Sequence, residues 1–211
     1  MTFLKYVVIV LLAVGTSIAQ PGWLKDIIAN TALPPVAKEA SALILYSTSE
    51  VTISHNSSKE HVRKVIKVLN ASNDDIAIVR EGISPSRKVN DLKGWVISPD
   101  QTTRELSKKN FVEYSPEESA PFYDDDRILI AKFPDVKLND IVAFEYTIEE
   151  EDWSAAYKGF MFQTQEPVLF AQFSVEISDD WQLQHADWHM DSVSFERKEN
   201  KYIWTARNLL F

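Results

Sequence analysis

The stretch FPDVKLNDIVAFEYTIEEED, residues 133–152, decides how the rest of this chain is read. Pro134-Asp135 and Asn139-Asp140 are both turn-forming pairs. Beyond them the apolar residues alternate. Val142, Phe144, Tyr146 and Ile148 fall on one face of an extended chain, and Ala143, Glu145, Thr147 and Glu149 fall on the other. A strand with one apolar face lies half-buried on a core. The same period returns at 168–177, where Leu169, Ala171, Phe173, Val175 and Ile177 share a face and Gln172, Ser174 and Glu176 oppose them.

Working outward, Ala42–Ile53 reads as a strand and HNSSKE (55–60) as a polar turn. In HVRKVIKVL (61–69), Val62, Val65, Ile66 and Leu69 fit a helix face and Val62, Ile66 and Val68 a strand face; the run is short and β-branched, so it reads as a strand. Ile76–Arg80 reads as a short strand. Lys93–Leu106 reads as a hairpin across Ser98-Pro99-Asp100-Gln101, with Phe111–Tyr114 as an edge. Arg127–Phe133 is expected to pair with Ile141–Ile148. Trp181–Ala186, Val193–Arg197 and Tyr202–Ala206 complete the set, the last two as a hairpin around Lys198-Glu199-Asn200. Ten or more short strands with frequent turns predict an all-β fold, an antiparallel β-sandwich. It is preceded by a short helix in GWLKDIIANTALPP that ends before Pro34-Pro35. The loop-like 115–126 stretch reads as a long connection within one domain.

Composition narrows the function classes. The chain has 211 residues, a formal net charge of −9 and 45% hydrophobic residues. The apolar content is sufficient for a core, and the acidic balance argues against nucleic acid and against an anionic membrane surface as partner. Residues 1–19 have the form of a signal peptide. Lys5 is the positive start, Tyr6–Val14 the apolar stretch, and Ser17-Ile18-Ala19 the small-x-small site. Cleavage after Ala19 is expected, with the product exported to a periplasm or the cell exterior. The apolar stretch is shorter than the about 20 residues of a membrane span, so no membrane span is expected after cleavage. The resulting division is 1–19 signal peptide, 20–36 helix and Pro-rich lead-in, and 37–211 a single sandwich domain. The apolar end, Asn208-Leu209-Leu210-Phe211, reads as a last strand tucked in or as the point where a longer polypeptide continues. There is no cysteine, which removes any thiol nucleophile, Cys-ligated zinc or redox pair from these residues. Asn56-Ser57-Ser58 and Asn70-Ala71-Ser72 are glycosylation sequons, which matter only in a eukaryote.

Two constellations carry candidate chemistry. In HADWH, His185, Asp187 and His189 would share one strand face at two-residue spacing, a donor set that could hold zinc or non-haem iron. Any exposed strand with two surface histidines has the same spacing, and no metal or cofactor is the base expectation. Among the tryptophans, Trp95 and Trp204 sit in strand-like alternation and belong to a core. Trp153, Trp181 and Trp188 lie near turns and are the candidates for stacking on a ligand. The acidic runs Asp124–Asp126 and Glu149–Asp152 lack the spacing of a calcium loop and read as solvated charge.

The opening stretch also carries a resemblance. IAKFPDVKLNDIVAFEYTIEEED (130–152) resembles the pattern "lPgvkpGdvieyey" of the domain of unknown function 3857 family. ASALILYSTSEVTIS, HVRKVIKVLN, WVISPDQTTREL, FYDDDRILI, MFQTQEPVLFAQFSVEIS and YIWTARN resemble its other segments in order, over about residues 37–208. The resemblance implies an exported bacterial β-sandwich that usually precedes a transglutaminase-like domain with a Cys-His-Asp constellation. With no cysteine here, no catalytic residue carries over. The implied role is a non-catalytic accessory module whose partner is a protein domain or a cell-envelope polymer. A carbohydrate- or peptide-binding module is the alternative, and a metal-dependent enzyme the weaker one. Asn139 and Gln101 stand where that family commonly has glycine. Asn tolerates a left-handed turn, whereas Gln101 favours another turn type.

Overall fold

The computed structural model describes residues 20–35, 40–70, 74–115, 126–151 and 158–210. The expected signal peptide, the 116–125 loop and Trp153 lie outside the described residues. Helix α1 (Gly22–Asn30) precedes eleven strands: β1 (Ala42–Ile53), β2 (Ser57–Val68), β3 (Ile78–Ile83), β4 (Arg87–Ile97), β5 (Thr103–Glu105), β6 (Phe111–Tyr114), β7 (Arg127–Lys132), β8 (Ile141–Glu151), β9 (Val168–Ile177), β10 (Val193–Lys198) and β11 (Lys201–Leu209). They form an eight-stranded sheet in the order β10-β11-β9-β1-β2-β8-β4-β5 and a three-stranded sheet in the order β3-β7-β6. The fold is all-β, as the alternation predicted. No helix among the described residues is long and apolar enough to cross a membrane.

The two faces of the large sheet are covered differently. On one, Leu24, with Trp23, Ile27 and Ile28 of α1, packs on Leu43, Leu45, Val65, Trp95 and Ile97. On the other, Val79 and Ala131 of the small sheet meet Val142, Phe144, Tyr146 and Ile148, the alternating apolar residues of β8. A third apolar group joins Val51, Ile53, Phe173, Val175, Tyr202 and Trp204, and Phe160 and Phe162 touch both it and the small-sheet core. One bulge makes this division possible. The register of β1 on β2 shifts between Ile44 and Tyr46. Before it Ala42 and Ile44 face the small sheet; after it Val51 and Ile53 enter the third group. An extra residue in one strand exchanges the parity that faces inward.

Several expectations are corrected. β7 pairs with β3 and β6, while β8 pairs with β2 and β4, so Arg127–Phe133 and Ile141–Ile148 belong to different sheets. The two turns at 134–140 therefore carry the chain across from the small sheet to the large one. Turn-forming residues mark where a strand ends and carry no information about its next partner. β1 and β9 run parallel, the one such pair among the described strands. Leu169 packs with the α1 side rather than with Ala171 and Phe173. The polar HNSSKE turn is short, because β2 already starts at Ser57. Gln101 keeps the left-handed conformation at φ 69°, as Asn139 does. Its N–H donates to the Ser98 carbonyl at 2.9 Å, which holds the turn closed.

Candidate functional site

Residues 178–192, SDDWQLQHADWHMDS, contain no β-branched residue, and they form no strand. Extended structure is favoured by branched and aromatic side chains packed on a pleated surface, and here the apolar residues are isolated among polar ones. The expected strand at Trp181–Ala186 is thus a looped wall. His185, Asp187 and His189 do not share a strand face. His189 takes φ 54°, which turns the chain between it and Asp187. The His185 Nδ1 and Asp187 Oδ1 lie 3.1 Å apart. Among the described residues no three His, Asp or Glu side chains come together as a metal site.

The wall instead closes a cleft of about 750 Å³. Its floor is Ile53 of β1, Phe173 and Val175 of β9 and Trp204 of β11. Its second wall is Lys158–Phe162. His185 lies 5.2 Å from Trp204, edge to face, and 5.1 Å from Phe195. Phe160 stacks on Phe173 at 5.4 Å and meets Phe162 at 4.9 Å. Trp188 and Met161, one on each wall, are 73% and 78% exposed. Of the candidate tryptophans, Trp188 lines the cleft, whereas Trp181 is half-buried against His55 at 5.7 Å. Trp95 and Trp204 are core residues, as expected. Sequence reading missed Phe160, Met161 and Phe162. The available signal was three large apolar residues in a row at the end of a polar stretch, too few to form an alternating strand.

Lys158 ties this cleft to a polar group inside the sandwich. Its Nζ lies 2.8 Å from Glu150 Oε2 and 3.8 Å from Glu60 Oε2, and Ser49 donates to Glu60 at 2.7 Å. Nearby, Tyr146 donates to Glu81 at 2.5 Å and Arg87 at 3.3 Å. Burial raises the Glu81 carboxyl above the ordinary carboxylate range, against the opposing pull of Tyr146 and Arg87. A carboxyl with a raised folded-state pKa binds its proton more tightly when folded. Its contribution to stability is complete below the unfolded value and is lost as pH rises through the folded one. Glu81→Gln is therefore expected to gain in melting temperature relative to the parent chain between pH 4.5 and pH 7.5. Calorimetry at the two pH values checks this, and a constant difference refutes it.

A second cleft, of about 860 Å³, lies between β4 and the small sheet and is lined by Arg87, Lys88, Asn90, Lys108 and Arg127 among others. Arg87 and Arg127 are held there by Glu81 and Glu113 at 3.3 and 2.8 Å. The Arg87–Glu81 pair joins the two sheets, and the Arg127–Glu113 pair lies within the small one.

The chain matches the domain of unknown function 3857 family, a domain of unknown function with solved structure, over residues 54–210. It belongs to that family of β-rich domains. Among solved structures it resembles a protein of Parabacteroides distasonis ATCC 8503 described provisionally as a protease. The TM-score is 0.68 at 15% identity, over 81% of this chain and 36% of that one. Weaker likenesses are to leukotriene A4 hydrolase of Saccharomyces cerevisiae (TM-score 0.41, 12% identity, 79% of this chain, 27% of that one) and to an M1 zinc metallopeptidase of Deinococcus radiodurans (0.36, 7%, 83% and 40%). These two carry no argument. No curated protein matches the sequence. The chain spans about a third of the Parabacteroides protein.

Proposed function

We propose that this chain is a non-catalytic β-sandwich module of an exported protein, docking or orienting a transglutaminase- or peptidase-like domain that is not among these residues. The observation that carries the reading is the 36% coverage: the same fold occupies a minor part of a longer chain described as a protease. The absence of cysteine from the sequence supports it, since a transglutaminase-like nucleophile is a thiol. The test is turnover of fluorogenic amide and amine-transfer substrates by the purified chain. No rate above buffer is expected, and amide hydrolysis or acyl transfer that co-purifies with the chain overturns the proposal. Export is tested by the N-terminus of the protein from its own cells. Gln20 is expected, and an N-terminal Met1 refutes it.

The cleft favours a second, compatible reading: a module that binds a peptide or carbohydrate. Its volume falls within the about 300–1,000 Å³ of small-ligand sites, and Trp188 presents a largely exposed ring beside it. Quenching of tryptophan fluorescence by an oligopeptide or oligosaccharide tests this, and its absence with every ligand tried counts against it.

A further inference from the structure

We propose that the cleft between the 158–162 and 183–190 walls is a subsite for the cationic side chain, lysine or arginine, of a polypeptide. The inference rests on the second reading above and gives it a ligand class.

Two observations converge. First, the cleft is lined by rings, Phe160, Phe162, Phe173, Trp188 and Trp204. Phe173 stacks on Phe160 and on Trp204, so the open ring is Trp188, 73% exposed, and an open ring face attracts alkylammonium and guanidinium groups. Second, charge is arranged for a cation. Segment 178–192 has four Asp and no Lys or Arg; Asp187 lines the cleft, while Asp180 pairs with His55 at 2.9 Å and Asp179 accepts from Asn200 at 3.3 Å. The one full cation in the lining, Lys158, is engaged by Glu150 and Glu60. A carboxylate ligand would meet Asp187 with no free cation beside it. A neutral sugar would stack on the rings and leave the Asp187 charge unused.

The geometry assigns distinct tasks. Asp187 faces the head group while accepting from or pairing with His185 at 3.1 Å, which fixes its direction. Trp188 and Met161 form the mouth, so a side chain enters from a peptide lying across the surface.

The test is calorimetric titration of the full chain at pH 7.5 with the blocked tripeptides acetyl-Ala-X-Ala-amide, where X is arginine, lysine, norleucine or glutamate. Spermidine and maltotriose complete the series. The arginine and lysine peptides are expected to bind about tenfold or more tighter than the norleucine peptide, and the glutamate peptide not at all. Affinity is expected to fall as salt is raised, as for any partly exposed charge pair. Asp187→Asn keeps an oxygen for His185 and is expected to weaken the arginine peptide about tenfold with an unchanged melting temperature. Equal binding of arginine and norleucine, or unchanged binding by Asp187→Asn, overturns the inference. Spermidine binding as tightly as the peptides overturns the commitment to a polypeptide. Maltotriose binding alone removes this inference and leaves the ligand-binding reading standing. Silence from every probe removes both, without touching the accessory-module proposal, which is tested by turnover.

Discussion

Asp140→Ala is expected to destabilise the fold by about 2 kcal/mol, the order for losing a hydrogen-bonded buried carboxylate. Its carboxylate is 2% exposed and takes two donors at 3.0 Å, Arg104 Nη2 and the Lys137 N–H. The same short turn is tied to β2 by its backbone. Val68 donates to the Asp140 carbonyl at 2.9 Å, and Asn139 donates to the Val68 carbonyl at 3.0 Å. Without the carboxylate, Arg104 keeps its charge in a site where its Nε already lacks a partner. The measurement is urea denaturation. A lower midpoint with an unchanged slope is expected, because the loss is in native contacts rather than in the surface exposed on unfolding. A midpoint that moves by less than about 1 kcal/mol equivalent would show that the turn is held by its backbone alone.

Phe133→Ala is expected to cost about 3–5 kcal/mol, and Gly94→Ala about 1–3 kcal/mol, with the double variant losing less than their sum. Phe133 ends the small sheet. Its N–H reaches the Ala77 carbonyl at 2.9 Å, and its ring lies 6.1 Å from Phe144 and directly over Gly94. A Cβ at Gly94 would stand 2.5 Å from Phe133 Cε1 and 3.2 Å from Leu106 Cβ. The ring is enclosed by the core, so it cannot swing into water to relieve the contact. Removing the ring makes room for the methyl group, and residues in contact do not add independently. Denaturation of the four members of this cycle measures the coupling. Strict additivity would place the Gly94 effect in the strand backbone rather than in the crowding.

Why some of this was legible in the sequence and some was not follows from the length over which each signal acts. β8 is legible from alternation because Val142, Phe144, Tyr146 and Ile148 bury one continuous face, and β9 because its face is continuous from Ala171 to Ile177, Leu169 alone leaving it; the spans 42–53 and 168–177 coincide with β1 and β9. The bulge at Leu45 left no such mark, since Leu43, Leu45 and Val51 are all apolar and only the parity changes. Pairing was misread at 127–148 because neighbouring strands usually form hairpins, and the Asp140–Arg104 contact that directs the crossover joins residues far apart in sequence. The candidate site was half visible. HADWH and Trp188 were singled out for their chemistry, but the ring-bearing wall opposite them comes from residues 158–162, which nothing in the spacing connects to 185–189.

The parallel pairing of β1 with β9 has a mechanical consequence. On either side of it the sheet is antiparallel throughout: β10, β11 and β9 on one flank, β1, β2, β8, β4 and β5 on the other. Parallel ladders are slightly weaker per residue, and this one joins Ile44 to Val168 and Ile53 to Ile177, partners that meet only after most of the chain has been laid down. The junction is thus a suture between two flaps, closed by contacts of long sequence separation. The floor of the aromatic cleft crosses that suture, with Ile53 on one side and Phe173, Val175 and Trp204 on the other. A guest lodged there would act as a clasp, and filling the cleft would slow exchange along β9 to β11 as well as at the cleft itself.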